Sequence, residues 1–324
     1  MPIRNRKHLV FGPAFAGILA LCLSLQSGKA KAEEDAPAVD KSEAAARCAT
    51  RLSITFLGTS PTASMLASPR PQEELVDVLL DDNVFIERFS RFVNSSFNVG
   101  AGERPEQDAS YYMAKFVMTN DKPWSEMFVG RYDVDVVDGR VQVVPNPEGL
   151  GYFRSKPWLV RYAGNEPAGI KIVTAYRMLQ NVVGLKLVAT TNAPEADVSA
   201  KGRSAPACAG CHYDNWHALD KVASVLSKKV VDAEGNVAFE AYTGGPKTIL
   251  DGVPIASDED LVQALVGSEN FADNACRLAF RFLYGRDENS CEGETFDRCL
   301  DELQAKKTMQ SALAAIAKNP AFCQ

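Results

Sequence analysis

Two cysteines three positions apart, Cys208 and Cys211, stand in the stretch "APACAGCHYDNWH", and His212 follows the second directly. A C-x-x-C-H run is the attachment signature of a c-type haem: the two thiols become thioethers to the ring, and the next histidine binds the iron. The expected cofactor is therefore haem c, with Cys208 and Cys211 holding it and His212 as the proximal metal ligand. Two other chemistries use the same residue types. A structural zinc site could draw on Cys208, Cys211, His212 and His217, but such sites usually pair two separated ligand couples, and no second C-x-x-C follows. A redox dithiol needs the turn of a βαβ unit, whereas "SAKGRSAPACAGCH" opens as a Ser, Gly and Pro loop.

The sixth iron position has several candidates: His217 and the methionines Met65, Met113, Met118, Met127, Met178 and Met309. His217 lies only five residues after His212, so both would have to reach opposite faces of one ring from adjacent turns. Met309 is the one methionine downstream of the motif, the usual arrangement in small cytochromes c, and it is the named sixth-ligand candidate. Its competing role is core filler, which methionine commonly plays. With two strong axial ligands the protein is an electron carrier whose potential is set by ligand, burial and hydrogen bonding. With an open sixth site it is instead a haem enzyme or sensor for peroxide or a small gas. A third possibility makes the N-terminal part a docking module for a redox haem region.

The start of the chain bears on this chemistry. "MPIRNRKH" is basic, Leu9 to Leu25 is apolar, and small residues at Ala30 and Ala32 precede an acidic stretch. That pattern reads as a secretory leader, residues 1–32, cut after Ala32. Its alternative is an uncleaved anchor, against which stand the short span and the interruption at Gly12 and Pro13. Cleavage removes Arg4, Arg6, Lys7, Lys29 and Lys31 and no acid, so 35 basic against 41 acidic side chains becomes 30 against 41. The net charge moves from −6 to about −11. Such a surface excludes nucleic acid as a partner, because that binding relies on clustered Lys and Arg. The expected location is periplasmic or otherwise exported, with no stable membrane span after cleavage and an unidentified redox protein as partner.

Of eight cysteines, Cys22 lies in the leader and two belong to the motif. Export makes disulfides the expected fate of the others. Cys291 and Cys299 flank a short polar stretch, and Cys276 and Cys323 sit on or just past C-terminal helices, so those are the expected bridges. Cys48 is then the odd thiol.

The elements that must position the motif read mainly as helix, a multi-helical α fold with a cytochrome c-like haem region. Helical spacing marks "KSEAAARCATRLSITFLG" up to Gly58, one long pattern from Leu75 to Phe97, "ASYYMAKFVMTND", "PWSEMFVG" and "GIKIVTAYRMLQNVVG". One β-hairpin is expected near 132–144, where valines alternate on either side of Asp138-Gly139. The loop "TTNAPEADVSAKGRSAP" divides an N-terminal helical region, 33–200, from a C-terminal haem region, 201–324. Beyond the motif comes an irregular stretch with short strands. Next is a helix capped by Ser257, then a second ending at Gly285, and two more near the C-terminus. Phe271, Leu278, Phe282 and Leu283 are core residues that could also wall the haem.

In that order, "RLSITFLGTSPTASML", "ELVDVLLDDNVFIERFSRFVNSSF", "NDKPWSEMFVG", "GLGYFRSKPWLVRYAG", "CAGCH" and "LVQALVGSENFADNACRLAFRFLYGR" resemble the planctomycete-type cytochrome family. The resemblance implies an exported, mostly helical protein with one c-type haem, carried by Cys208, Cys211 and His212. Where the family has an Asp-Pro-x-Gly-like turn after the haem histidine, this chain has "DNWHALD".

Overall fold

The computed structural model describes residues 41–67, 70–163, 171–188, 197–231, 233–234 and 237–324. The leader and its cleavage site lie outside the described residues, as does the first part of the boundary loop, 190–196.

Local sequence signals set the helix ends. α1 (Lys41–Leu57) stops where Gly58 takes a left-handed φ of 72°. The single pattern expected from Leu75 to Phe97 is two helices, α3 (Gln72–Leu80) and α4 (Asn83–Phe97), after the short α2 (Ala63–Ala67). The break falls at Asp82, whose side chain accepts a hydrogen bond from Val84 N (2.7 Å) and so caps a new helix within the continuing apolar pattern. α5 (Ala109–Thr119) and α6 (Glu126–Val129) lead into β1 (Tyr132–Val137) and β2 (Arg140–Pro145). These two strands pair antiparallel in the expected hairpin, with Val137 opposite Arg140. Asp138 and Gly139 both carry positive φ, 52° and 73°, as the tight two-residue turn requires.

α7 (Lys156–Ala163) and α8 (Ile172–Val183) follow, then the short α9 (Ala200–Arg203), α10 (Pro206–Ala209) and α11 (Leu219–Ala223). Two small antiparallel pairs come next, β3 (Lys228–Val231) with β4 (Val237–Glu240) and β5 (Lys247–Ile249) with β6 (Val253–Ile255). α12 (Asp258–Val266) is capped by Ser257, whose hydroxyl accepts from Asp260 N at 3.0 Å. α13 (Glu269–Tyr284) ends at Gly285, and α14 (Gly293–Lys306) and α15 (Met309–Ala317) complete the chain. The molecule is thus mainly helical with small two-stranded sheets.

From Ala45 to Gln324 the chain folds as one compact unit. Its centre is aromatic: Phe56, Phe85 and Phe89 are fully buried, and Phe282 meets all three rings at centroid distances of 6.4, 5.8 and 5.1 Å. Phe271 packs edge-on to Phe128 at 5.9 Å. Leu278 and Leu283 are buried as well, so the helix α13 residues read as core do form core.

The disulfides differ from the expected pairs. Cys48 bridges Cys323 and Cys276 bridges Cys299, leaving Cys291 exposed with a free thiol. The reason is helix packing. Cys276 and Cys299 face each other across the α13–α14 contact, both fully buried, with Cα atoms 6.0 Å apart. Cys48, expected to be the odd thiol, is met by the C-terminal turn Pro320–Cys323, which folds back onto α1. There the Arg51 guanidinium lies 4.8 Å from the Phe322 ring centre.

Candidate functional site

α8 supplies one wall of the site. Its apolar residues split by helical period: Ala175, Met178, Leu179 and Val182 are buried, while Ile172, Val173 and Tyr176 emerge on another side. The helix ends at Gly184, at φ 71°, where a Cβ would lie 2.6 Å from Asn274 Oδ1. Asn274, on α13, donates through Nδ2 to the Asn181 and Val182 carbonyls at 3.0 and 3.3 Å. The capped end turns the chain so that Leu187 and Val188 join the same wall.

Facing it, the motif is not the first turn of an ordinary helix. Pro206 starts α10 in the position proline prefers, and the chain then widens into a π-turn, Gly210–Asp214, closed by Asn215 N donating to Gly210 O at 3.0 Å. Cys208 lies on α10, and Cys211 and His212 on the π-turn. Together with Ala207 and Leu219 they complete an apolar groove of about 310 Å³. Both thiols are free although four of the other cysteines are bridged. No three His, Cys, Asp or Glu side chains among the described residues gather as a metal's ligand set.

His212 is held from behind. Its Nδ1 lies 2.7 Å from Asp220 Oδ2, and because a carboxylate only accepts, Nδ1 is the donor of that bond and Nε2 takes no part in it. Asp220 sits in the first turn of α11 and also accepts from Tyr213 OH (3.0 Å) and from Arg203, whose Nε is 3.1 Å from Oδ1 and 3.2 Å from Oδ2. Burial and the Asp220 carboxylate push the Tyr213 phenol above its ordinary pKa. Arg203 reaches Asp220 from α9, where Gly202 permits a close chain crossing: a Cβ there would lie 1.8 Å from Asp197 O. The side chains of Arg203, Asp220 and His212 are 14%, 10% and 16% exposed, so the Arg203–Asp220 ion pair acts in a partly dry environment.

The residues expected at the sixth position fall elsewhere. Met309 is fully buried at the start of α15, beside Gln310, whose Nε2 donates to Met118 O at 2.7 Å. It therefore packs in the helical core near α5. Met113, Met118, Met127 and Met178 are buried in that core too, and Met65 takes a hydrogen bond from Ser53 Oγ at 3.8 Å. His217 is buried, edge-on to Trp216 at 5.3 Å, with neither ring nitrogen hydrogen-bonded. Burial lowers its pKa from 6.5.

Cys208, Cys211 and His212 thus line one groove. Asp220, Arg203, Tyr213 and Tyr176 are additions made by the structure. A signal for the first existed in "DNWHALD", which places an acid eight residues after the motif histidine. Comparison with known proteins gives no match: no family model, no curated protein and no solved structure aligns with the chain.

Proposed function

We propose that the chain is an exported c-type cytochrome that carries electrons through a covalently held haem. The observation that carries this reading is the pairing of two free thiols with a pre-set imidazole along one apolar groove. Cys208 and Cys211 would hold the ring as thioethers: adding each S–H across a vinyl group would break the S–H bond and the vinyl π bond and form one C–S and one C–H bond, with neither oxidant nor leaving group needed. His212 offers Nε2, since Asp220 keeps its Nδ1 proton. Ile172, Leu187 and Leu219 line the groove and would shield a bound ring from water, which would tune the site through low polarity. Bound haem supplies one-electron exchange between ferric and ferrous iron. Cys211 is exposed, which leaves that edge of the groove within reach of a redox partner. The order of segments supports kinship with the planctomycete-type cytochromes. The two disulfides are compatible with an oxidising compartment, and among the described residues no helix is long and apolar enough to cross a membrane.

A second reading has its own observation. Apart from the motif and its neighbour Ala207, the described residues lining the groove are Ile172, Val173, Tyr176, Leu187, Val188 and Leu219, with no methionine or second histidine among them. That lining favours a sixth position open to a small ligand, with the Tyr176 phenol as a hydrogen-bonding group. Absorption spectra of the oxidised, reduced and carbon monoxide-treated protein decide both points. A haem spectrum unchanged by carbon monoxide supports the simple carrier, and a carbon monoxide shift supports the open site. A protein matured by the c-type machinery that shows no haem bands contradicts both.

A further inference from the structure

We propose that Asp220 is the residue that positions and electronically tunes His212, and that Arg203 limits how strongly it does so. The inference rests on the haem reading above. A neutral backbone carbonyl behind a ligating histidine would fix only its orientation. A carboxylate is a charged acceptor, and its hydrogen bond at 2.7 Å shifts electron density into the ring and makes the free nitrogen a stronger donor. A stronger donor favours ferric over ferrous iron and lowers the reduction potential.

The same carboxylate is shared. Arg203 places its Nη2 2.9 Å from Oδ1 and donates through Nε to both oxygens, while Tyr213 donates to Oδ1. Oδ1 is thus engaged mainly by Arg203 and Tyr213, and Oδ2 holds the imidazole. The guanidinium cancels much of the negative charge that would otherwise reach the ring. Because the Arg203, Asp220 and His212 side chains are only partly exposed, solvent screens these effects less than at an open surface. The two residues therefore act on the potential in opposite senses.

This opposition separates tuning from mere support. Asp220→Asn removes the charge but retains an acceptor, and should shift the oxidised-to-reduced ratio at fixed potential at least tenfold toward the reduced form, about 59 mV upward for one electron. Its iron–histidine stretching frequency should fall. Arg203→Gln should shift the potential downward, and Asp220→Glu should recover part of the loss. The measurement is spectroelectrochemical titration of the matured holoprotein, with covalent haem verified on a denaturing gel for every variant. Opposite shifts for Asp220→Asn and Arg203→Gln support the proposal. Shifts of the same sign, or no shift with haem still attached, overturn it and leave Asp220 as scaffolding. If Asp220→Asn does not mature, the sign of the Arg203→Gln shift alone decides. Wild-type protein without covalent haem defeats the cytochrome reading itself, a result distinct from either.

Discussion

Around Phe89 the large side chains are sealed, with Phe56, Phe85 and Phe89 fully buried, whereas α9, α10 and the π-turn that carry Cys208, Cys211 and His212 contain no buried residue at all. The core is held by apolar area and by two disulfides, which need no ligand. The motif segment is held at its edges, by Leu219, Val222 and Ala223 of α11 and by the Asp220–Arg203 pair. Its free energy of folding is therefore small on its own account, and its apolar groove stays exposed until something fills it. The disulfide-stapled core and the motif groove are thus different parts of one unit.

That contrast can be broken most forcefully in the core. Replacing both Cys48 and Cys323 by Ser should cost about 5.6 kcal/mol on the chain-entropy account, because their bridge spans a sequence separation of 275, against about 3.4 kcal/mol for the separation of 23 between Cys276 and Cys299. Urea unfolding of the two double variants gives the ranking, and an inverted order contradicts the entropic origin. Phe89→Ala should cost about 3–5 kcal/mol, from lost burial and the cavity left among Phe85, Trp124 and Phe282.

A smaller effect lies between the regions, at His217. Its folded-state pKa is depressed by burial from 6.5, so the unfolded chain binds a proton that the folded chain refuses as pH falls below that value. Its contribution is complete above pH 6.5 and is lost as pH drops toward the folded pKa, with a limiting slope of about 1.4 kcal/mol per pH unit. His217→Leu should flatten this part of the stability profile between pH 5 and 7. A profile identical to wild type would show that His217 is protonated or solvated in the fold. Smallest of all, Cys208→Ala with Cys211→Ala in haem-free protein should change stability by no more than about 0.5 kcal/mol. A loss above 1 kcal/mol, measured the same way, would make the motif part of the scaffold.

How much of this is written in the sequence depends on the range of the interaction. Helix ends at Gly58, Ser257 and Gly285 and the Asp138-Gly139 turn are local, one or two residues deciding each, and they fall as expected. The Cys208, Cys211 and His212 grouping is local as well. The split at Asp82 was hidden because the apolar period runs on across it, and only the cap bond to Val84 N marks the break. Disulfide partners are non-local. Nearness in sequence suggested Cys291 with Cys299, but the α13–α14 contact selects Cys276, and the returning C-terminus selects Cys48. The groove was illegible for the same reason: Ile172 and Tyr176 lie more than 30 residues before Cys208, and nothing in their own periodicity says which element faces them.

The central claim is that Cys208 and Cys211 bind haem covalently, and the intact mass of denatured protein tests it most directly. Protein produced with the c-type maturation machinery should carry the mass of one haem after denaturation, and Cys208→Ala with Cys211→Ala should return to the mass of the bare chain. A wild-type mass equal to the bare chain under the same conditions, with haem lost on denaturation or never acquired, would contradict the account.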